Sequence, residues 1–358
     1  MGDVAQQAGV SKATVSAVLN GTGAVKESTR ERVLQAIALL NYRAAPTPPP
    51  AKASMPRGLG IVVKELDNPY YAEIVSGVRT IADRHDYTVL VASSEGDYAA
   101  ERRAIELLRA KDIEGLLVTP VLHAQVDLSH LFELKRRNFP FVLLEEVLGI
   151  HASLVDIDNT HAARLAADNL IEGGHTRIVH FAGPAYSMHS RQRADGVRRA
   201  CSASHLVFGD EHVIAAGAHL ADGYRAGLAY FGAIVPRQRP TAVVCYNDLV
   251  AVGLCRALGE LGLRVPQDVA VVGFDDIPLL EYLPVPLTTV RVPTRRMGEL
   301  AAEMLLAHIH AHAAVPPQRT VLEATLVVRA STHRVVAPVA RPRRAKAPRA
   351  IASLPSAS

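Results

Sequence analysis

The chain has 358 residues, more than one hydrophobic core usually serves, so two or three folding units are expected. Hydrophobic residues at 49% and charged residues at 21% exclude wholesale disorder; no run of about 18 uncharged apolar residues offers a membrane span, and Met1 is followed by polar sequence rather than a signal peptide. The net charge of +4 sits largely in the tail after Arg334, and Cys201, Cys245 and Cys255 lie in apolar runs, which favours reduced thiols, no disulfide frame and a cytoplasmic protein.

The first predicted element is a short helix capped by Asp3 and running to Ala8, with Val4 and Ala8 on one face. Gly9 supplies the positive φ of a tight turn, and Ser11 caps a second helix whose Val15 and Val18 face inward. Small Ala5 allows the two to cross closely. This is the spacing of a helix-turn-helix. A third helix is expected from Ser28 or Thr29, with Glu31 closing a capping box and Val33, Ile37 and Leu40 on its core face.

A Pro/Ala stretch, 44–57, follows this 1–43 headpiece, and from 58 to 333 an apolar strand alternates with a helical pattern: "LGIVV", "TVLVAS", "EGLLVTP", "FVLLEE", "RIVHFAG", "TAVVCYND" and "DVAVVGFDD". Such alternation predicts parallel sheets with helices on both faces, in which ligands bind at the carboxyl ends of the strands. Those ends carry polar groups: Asp67-Asn68-Pro69-Tyr70-Tyr71, Glu145-Glu146, Asn247-Asp248 and Asp275-Asp276. Each singly could be a helix cap; together they predict a polar cleft. Residues 334–358 read as a basic, disordered tail.

"DVAQQAGVSKATVSAVLNGTGAVKESTRERVLQAIALLNYR" resembles the DNA-binding headpiece of the lactose-repressor (LacI/GalR) family of bacterial transcription regulators. The likeness continues through "LGIVVKELDNPYYAEIVSGV", "VDIDNTHAARLAADNLIEGGHTRIVHFAGP", "GLRVPQDVAVVGFDDIP" and "LVVRAST", covering about 2–333. The resemblance implies an α/β protein: an N-terminal all-α helix-turn-helix headpiece plus a periplasmic-binding-protein-like core of two Rossmann-like subdomains. Three chain crossings would place 58–160 and 290–320 in the first and 161–289 and 321–333 in the second.

It further implies a homodimer on pseudo-palindromic operator DNA, with the second helix in the major groove. Lys12, Ala13 and Ala17 would meet base edges, Lys12 donating to guanine and the alanines offering only methyl contacts. Ser11, Thr14, Ser16 and Asn20 suit phosphates, which fix register without selecting sequence. Ala17 stands where relatives often carry Arg, and Ala51 about where they carry a minor-groove Leu. Pro48, Pro49 and Pro50 favour polyproline II there, so no leucine-driven kink is expected.

For the effector, the resemblance carries Tyr70 and Tyr71 as stacking residues, Arg193 as a forked donor, Asp275 as an acceptor, and Glu145, Asn247 and His189 as further contacts, with Ser187 beside them. An aromatic platform with converging Asp, Arg and Asn suits a neutral polyhydroxylated ligand, a sugar or sugar derivative first and a nucleoside or purine second. No G-x-S-x-G, H-E-x-x-H, Walker loop or G-x-G-x-x-G motif is present, so no catalytic, cofactor or metal residues are assigned. His308, His310 and His312 alternate along a helical pattern that splays the rings apart. The function read is an effector-controlled transcriptional repressor, not an enzyme; the rival is a ligand-binding protein with weakened DNA recognition.

Overall fold

In the computed structural model the described residues are 1–20, 25–40, 57–122, 127–311 and 315–332. The expected hinge up to residue 56, Ala51 within it, His312 and the tail 334–358 lie outside them. The chain divides into two compact units, Met1–Met55 and Pro56–Ser358.

The first unit holds α1 (Gly2–Ala8), α2 (Lys12–Asn20) and α3 (Glu27–Leu39). Val4, Ala5, Ala8, Val15, Val18, Val33 and Ala36 form its core, with Val10, Leu19, Val25 and Ile37 packed against it. Gly9 takes φ 62°, the left-handed conformation the turn requires. The Ser11 hydroxyl accepts from the Thr14 amide at 3.1 Å, so that cap is in place. Two expected caps are corrected. Met1 precedes α1 and Asp3 sits inside its first turn, where its charge complements the helix dipole without capping. α3 begins at Glu27 rather than after Ser28 or Thr29, because the Lys26 carbonyl already accepts from Thr29 and Arg30. Leu40 is exposed beyond the end of α3, and Ala36 takes the core place expected of it.

In the second unit the chain runs β1 (Arg57–Val63), α4 (Pro69–Arg84), β2 (Tyr87–Ser93), α5 (Tyr98–Arg109), β3 (Ile113–Val118), α6 (Ser129–Arg136), β4 (Phe141–Leu143) and β5 (Ser153–Ile157). It continues as α7 (Asn159–Glu172), β6 (Ile178–Ala182), α8 (Met188–Ala203), β7 (Val213–Ala215), α9 (Leu220–Ala233), β8 (Ala242–Cys245), α10 (Asp248–Glu260) and β9 (Ala270–Asp275). Last come β10 (Thr288–Arg291), α11 (Thr294–His310), β11 (Arg319–Leu322) and β12 (Thr325–Val327).

The strands form two sheets, ordered β11-β5-β4-β3-β1-β2 and β12-β10-β9-β8-β6-β7. All pairings are parallel except β10 with β12. Central strands such as β8, and β9 as far as Phe274, are continuous apolar runs because helices cover both faces. On β1, Leu59, Ile61 and Val63 face α4 and α11 while Val62 faces α5 and α6, the period-2 alternation of a strand packed on both sides. α4 and α11 approach closely at two glycines: a Cβ on Gly77 would collide with the Arg295 carbonyl, and one on Gly298 with that of Ile74.

The chain passes between the lobes three times, after β5, after β10 and after β11. Two expected divides therefore move: the cut at 289/290 falls inside β10 and that at 320/321 inside β11. Parallel pairing decides this, since β10 continues the second sheet beside β9 through Thr288–Arg291, and β11 completes the first beside β5 through Arg319–Leu322.

Candidate functional site

The carboxyl ends of β1, β3 and β4 in one lobe and of β6, β7, β8 and β9 in the other border a single cleft, a cavity of about 340 Å³. All seven residues singled out as ligand contacts line it, together with Ser187. Local structure explains their placing. Asn68 caps α4 by accepting from the Tyr70 amide at 3.1 Å, which sets Tyr70 and Tyr71 on the first helical turn beside the cleft. Their rings stand edge to face, centroids 5.1 Å apart, and burial pushes both phenols well above their ordinary range. Ser187 caps α8 and so aims His189 and Arg193 inward from its first turns. Asn247 caps α10 and donates to the Ala218 carbonyl at 2.8 Å, joining two loops of the cleft wall.

Arg193 is 4% exposed and forms no ion pair among the described residues. It donates from Nε to Asn159 Oδ1 at 2.9 Å and from Nη1 to the Tyr246 carbonyl at 2.6 Å. Its guanidinium lies 3.5 Å from the ring centroid of Phe274 and 4.9 Å from that of Tyr246. Asp275 ends β9 at φ 118° and is followed by Asp276 at φ 63°, two consecutive non-glycine residues in a costly conformation that clusters at functional sites. The Asp275 carboxyl finds no hydrogen-bond donor among the described residues, and burial pushes it up to about 7 against the pull of Arg193 and His189.

On the facing lobe, Lys64 pairs with Glu145. Burial opposes the charge on both, but their mutual attraction prevails, so Lys64 is held above and Glu145 below its ordinary value, the latter with help from His189 and Arg193. His189 Nε2 meets Asp156 at 3.2 Å; burial would lower its pKa, but Glu145 and Asp156 outweigh that and raise it. At the rim, His219 of one lobe stands 3.6 Å from Glu65 of the other.

The remaining strand-end residues are structural. Glu146 turns away to Arg319, with contacts of 2.8 and 3.2 Å. Asp248 is fully buried, accepting from the Thr289 hydroxyl at 2.6 Å and the Ile277 amide at 2.9 Å, and Asp276 holds Arg291 and Arg329. Asp67 is exposed outside the lining. His308 and His310 separate as the helical pattern implies, to Ser153 and Tyr87. Lys64, Tyr246 and His219 were not singled out from sequence. The first two follow β1 and β8, where the strand-end rule could have found them; His219 sits in a loop with no such signal.

In the headpiece, the capping residue Ser11 is exposed, as are Lys12 and Ala13 on the first turn of α2, and Ala17 is half-buried one turn on. The Thr14 and Ser11 hydroxyls bond each other at 2.9 Å, and Ser16 lies between these positions on the same helix. Asn20 is the last residue of α2.

Residues 1–44 match the bacterial regulatory proteins of the lacI family, and 167–332 a periplasmic binding protein-like domain. The HTH-type transcriptional repressor PurR of Aliivibrio fischeri (strain ATCC 700601 / ES114) is 35% identical over 310 residues, 86% of this chain and 90% of that protein. Among solved structures, the transcriptional regulator CelR–cellobiose complex is 32% identical, with 92% of this chain and 98% of that one covered at a TM-score of 0.69. The lac repressor dimer bound to operator and the anti-inducer ONPF is 26% identical, with 92% and 98% covered at a TM-score of 0.67. The chain belongs to the lacI family of bacterial regulatory proteins, DNA-binding transcriptional regulators with a ligand-binding core.

Proposed function

We propose that this regulator binds a small polyhydroxylated ligand, a sugar or sugar derivative, in the interlobe cleft, and that occupancy alters the affinity of a homodimer for a pseudo-palindromic operator. The observation that carries it is the Arg193–Asp275 pair: a buried cation without a counterion and a buried carboxyl without a donor, both lining one cavity. Buried groups in that condition are costly unless a ligand completes them. Vicinal hydroxyls both donate and accept, so one can meet each. The cleft acts by binding rather than by covalent chemistry: a ligand contacting both lobes favours one closure state and shifts the equilibrium toward it.

On DNA, α2 enters the major groove with Lys12 as the base-reading donor, Ala13 and Ala17 as methyl contacts, and Ser11, Thr14, Ser16 and Asn20 on phosphates. The domain division proposed is a headpiece to about 43, a hinge to 57 and a two-lobed core to 333.

The test is a thermal-shift panel of neutral sugars, sugar acids and nucleosides on the full chain, followed by fragment binding with the same compounds. A ligand at 100 times its Kd stabilises by about 2.7 kcal/mol, which a melt resolves. One class is expected to raise the melting temperature and change binding to selected genomic fragments. A panel without any shift sinks the cleft reading, and no genomic fragment bound better than random DNA at moderate salt sinks the regulator reading.

A further inference from the structure

We infer that the two lobes are fastened across the cleft by two histidines, His189 at its floor and His219 at its rim, so that protons favour the closed state and the regulator senses pH together with its effector. The closure itself does not depend on what the cleft takes; only its link to an effector rests on the cleft being the ligand site.

Among the described residues two ion pairs cross from one lobe to the other, and both join a histidine of the second lobe to a carboxylate of the first. His189, on the first turn of α8, places Nε2 3.2 and 3.4 Å from the two carboxyl oxygens of Asp156 on β5. His219, the residue before α9, stands 3.6 Å from Glu65, which lies just past β1. Pairs made by arginine and lysine stay within one lobe, as Arg57–Glu114, Lys64–Glu145, Arg319–Glu146 and Arg291–Asp276 do. An arginine bridge holds at any pH, whereas imidazole is the side chain that ordinarily changes charge between about pH 5 and pH 8.

The neighbours of each ring set the direction of the response. Burial works against a charge on His189, but Glu145 beyond β4 and Asp156 on β5 outweigh it, with Arg193 of the same helix opposing. Asp275, beyond β9, faces His189 from its own lobe, so that contact spans no cleft. At the rim the half-exposed His219 faces Glu65, while Asp222 of α9 accepts from the Ala218 and His219 amides and pairs with Arg225. Burial pushes the Glu65 carboxyl up, His219 and Lys64 pull it down, and Asp67 adds to the upward push. A charge on either imidazole therefore strengthens its bridge, and losing that charge leaves only a weak neutral contact. Closure gains as pH falls through the histidine range and is lost as pH rises through it. The floor bridge, shielded from water, contributes more than the rim bridge.

The chain contains no tryptophan, so Tyr186→Trp, in the loop after β6 that lines the cleft, supplies a single fluorescent reporter. Acrylamide quenching is read on the full chain without ligand at pH 6 and pH 8.5. The quenching constant is expected to be smaller by about 2-fold or more at pH 6, where closed lobes shield the ring. Adding His189→Gln and His219→Gln, neither of which titrates, should bring the two values together. Adding His219→Arg instead, which keeps a charge at both pH values, should lower the pH 8.5 constant toward that at pH 6. Because His219 is half-exposed, this variant decides the case even where substitution of buried His189 prevents folding. Equal constants in the reporter protein, a double variant that keeps the pH response, or no effect of His219→Arg at pH 8.5 each overturns the inference. None of these measurements uses a ligand, so their failure leaves the cleft reading standing, and a sugar panel without any shift leaves the pH response standing.

Discussion

Replacing Asp275 by asparagine should stabilise the ligand-free protein, and should do so more at high pH. The side chain is 9% exposed, has no donor among the described residues, and its carboxyl is displaced from an ordinary 3.8 to about 7. Each tenfold change in proton affinity corresponds to about 1.4 kcal/mol, so ionising this group in the folded state withholds roughly 4 kcal/mol of stability above pH 7. The folded state holds this proton more tightly than the unfolded chain does, so stability is lost as pH rises from about 4 to about 7 and stays lost above. Asparagine cannot ionise, and its gain should therefore be near 2 kcal/mol at pH 5 and near 4 kcal/mol at pH 8 by the same reckoning. For a core of this size that is a rise of roughly 4 °C and 8 °C in melting temperature. Thermal melts of the two proteins at both pH values measure it. An equal gain at pH 5 and pH 8, or a loss at pH 8, would show that Asp275 is ionised and satisfied in the folded state, and the argument from its missing partner would fail.

Two further outcomes are expected. His180 is fully buried, donates from Nδ1 to the Val244 carbonyl at 2.9 Å, and burial lowers it to about 4; unfolded His binds protons from about 6.5 downward, so stability should fall as pH drops from 6.5 to 4, by up to roughly 3 kcal/mol. His180→Gln should flatten that limb in pH-dependent melts, and an unchanged slope would show that other groups produce it. Lys12→Ala should lower preference for a selected genomic fragment by about 1–3 kcal/mol while reducing binding to random DNA less. Equal losses on both, in a salt titration, would assign Lys12 to phosphate alone.

The paired elements of headpiece and core were legible in the residues because each rests on local physics. Gly9 had to be where φ turns positive, Ser11 where an amide needed a cap, and Val4, Val15 and Val18 where a helix face recurs. Strand-end polarity likewise located Tyr70, Glu145, Asn247 and Asp275 on one cleft, since apolar parallel strands can afford polar groups only at their ends. What local pattern could not rank were neighbours of the same chemical type. Glu145 and Glu146 are adjacent acids at the end of one strand, as are Asp275 and Asp276, yet each pair splits between the cleft and a structural arginine. Asp275 and Asp276 both leave the extended conformation, at φ 118° and 63°, so strand alternation does not assign them, and which acid of each pair turns to an arginine depends on partners such as Arg291, Arg329 and Arg319 that the fold brings up from elsewhere in the chain. The lobe boundaries failed for the same reason: β10 and β11 join whichever sheet offers them a hydrogen-bonded edge, a choice made in three dimensions. Sequence by itself determined that this chain has a helix-turn-helix and a two-sheet core with polar strand ends. Only the tertiary structure decided which charges meet in the cleft and which remain unanswered, because burial and counterions are properties of the assembled lobes and not of any segment.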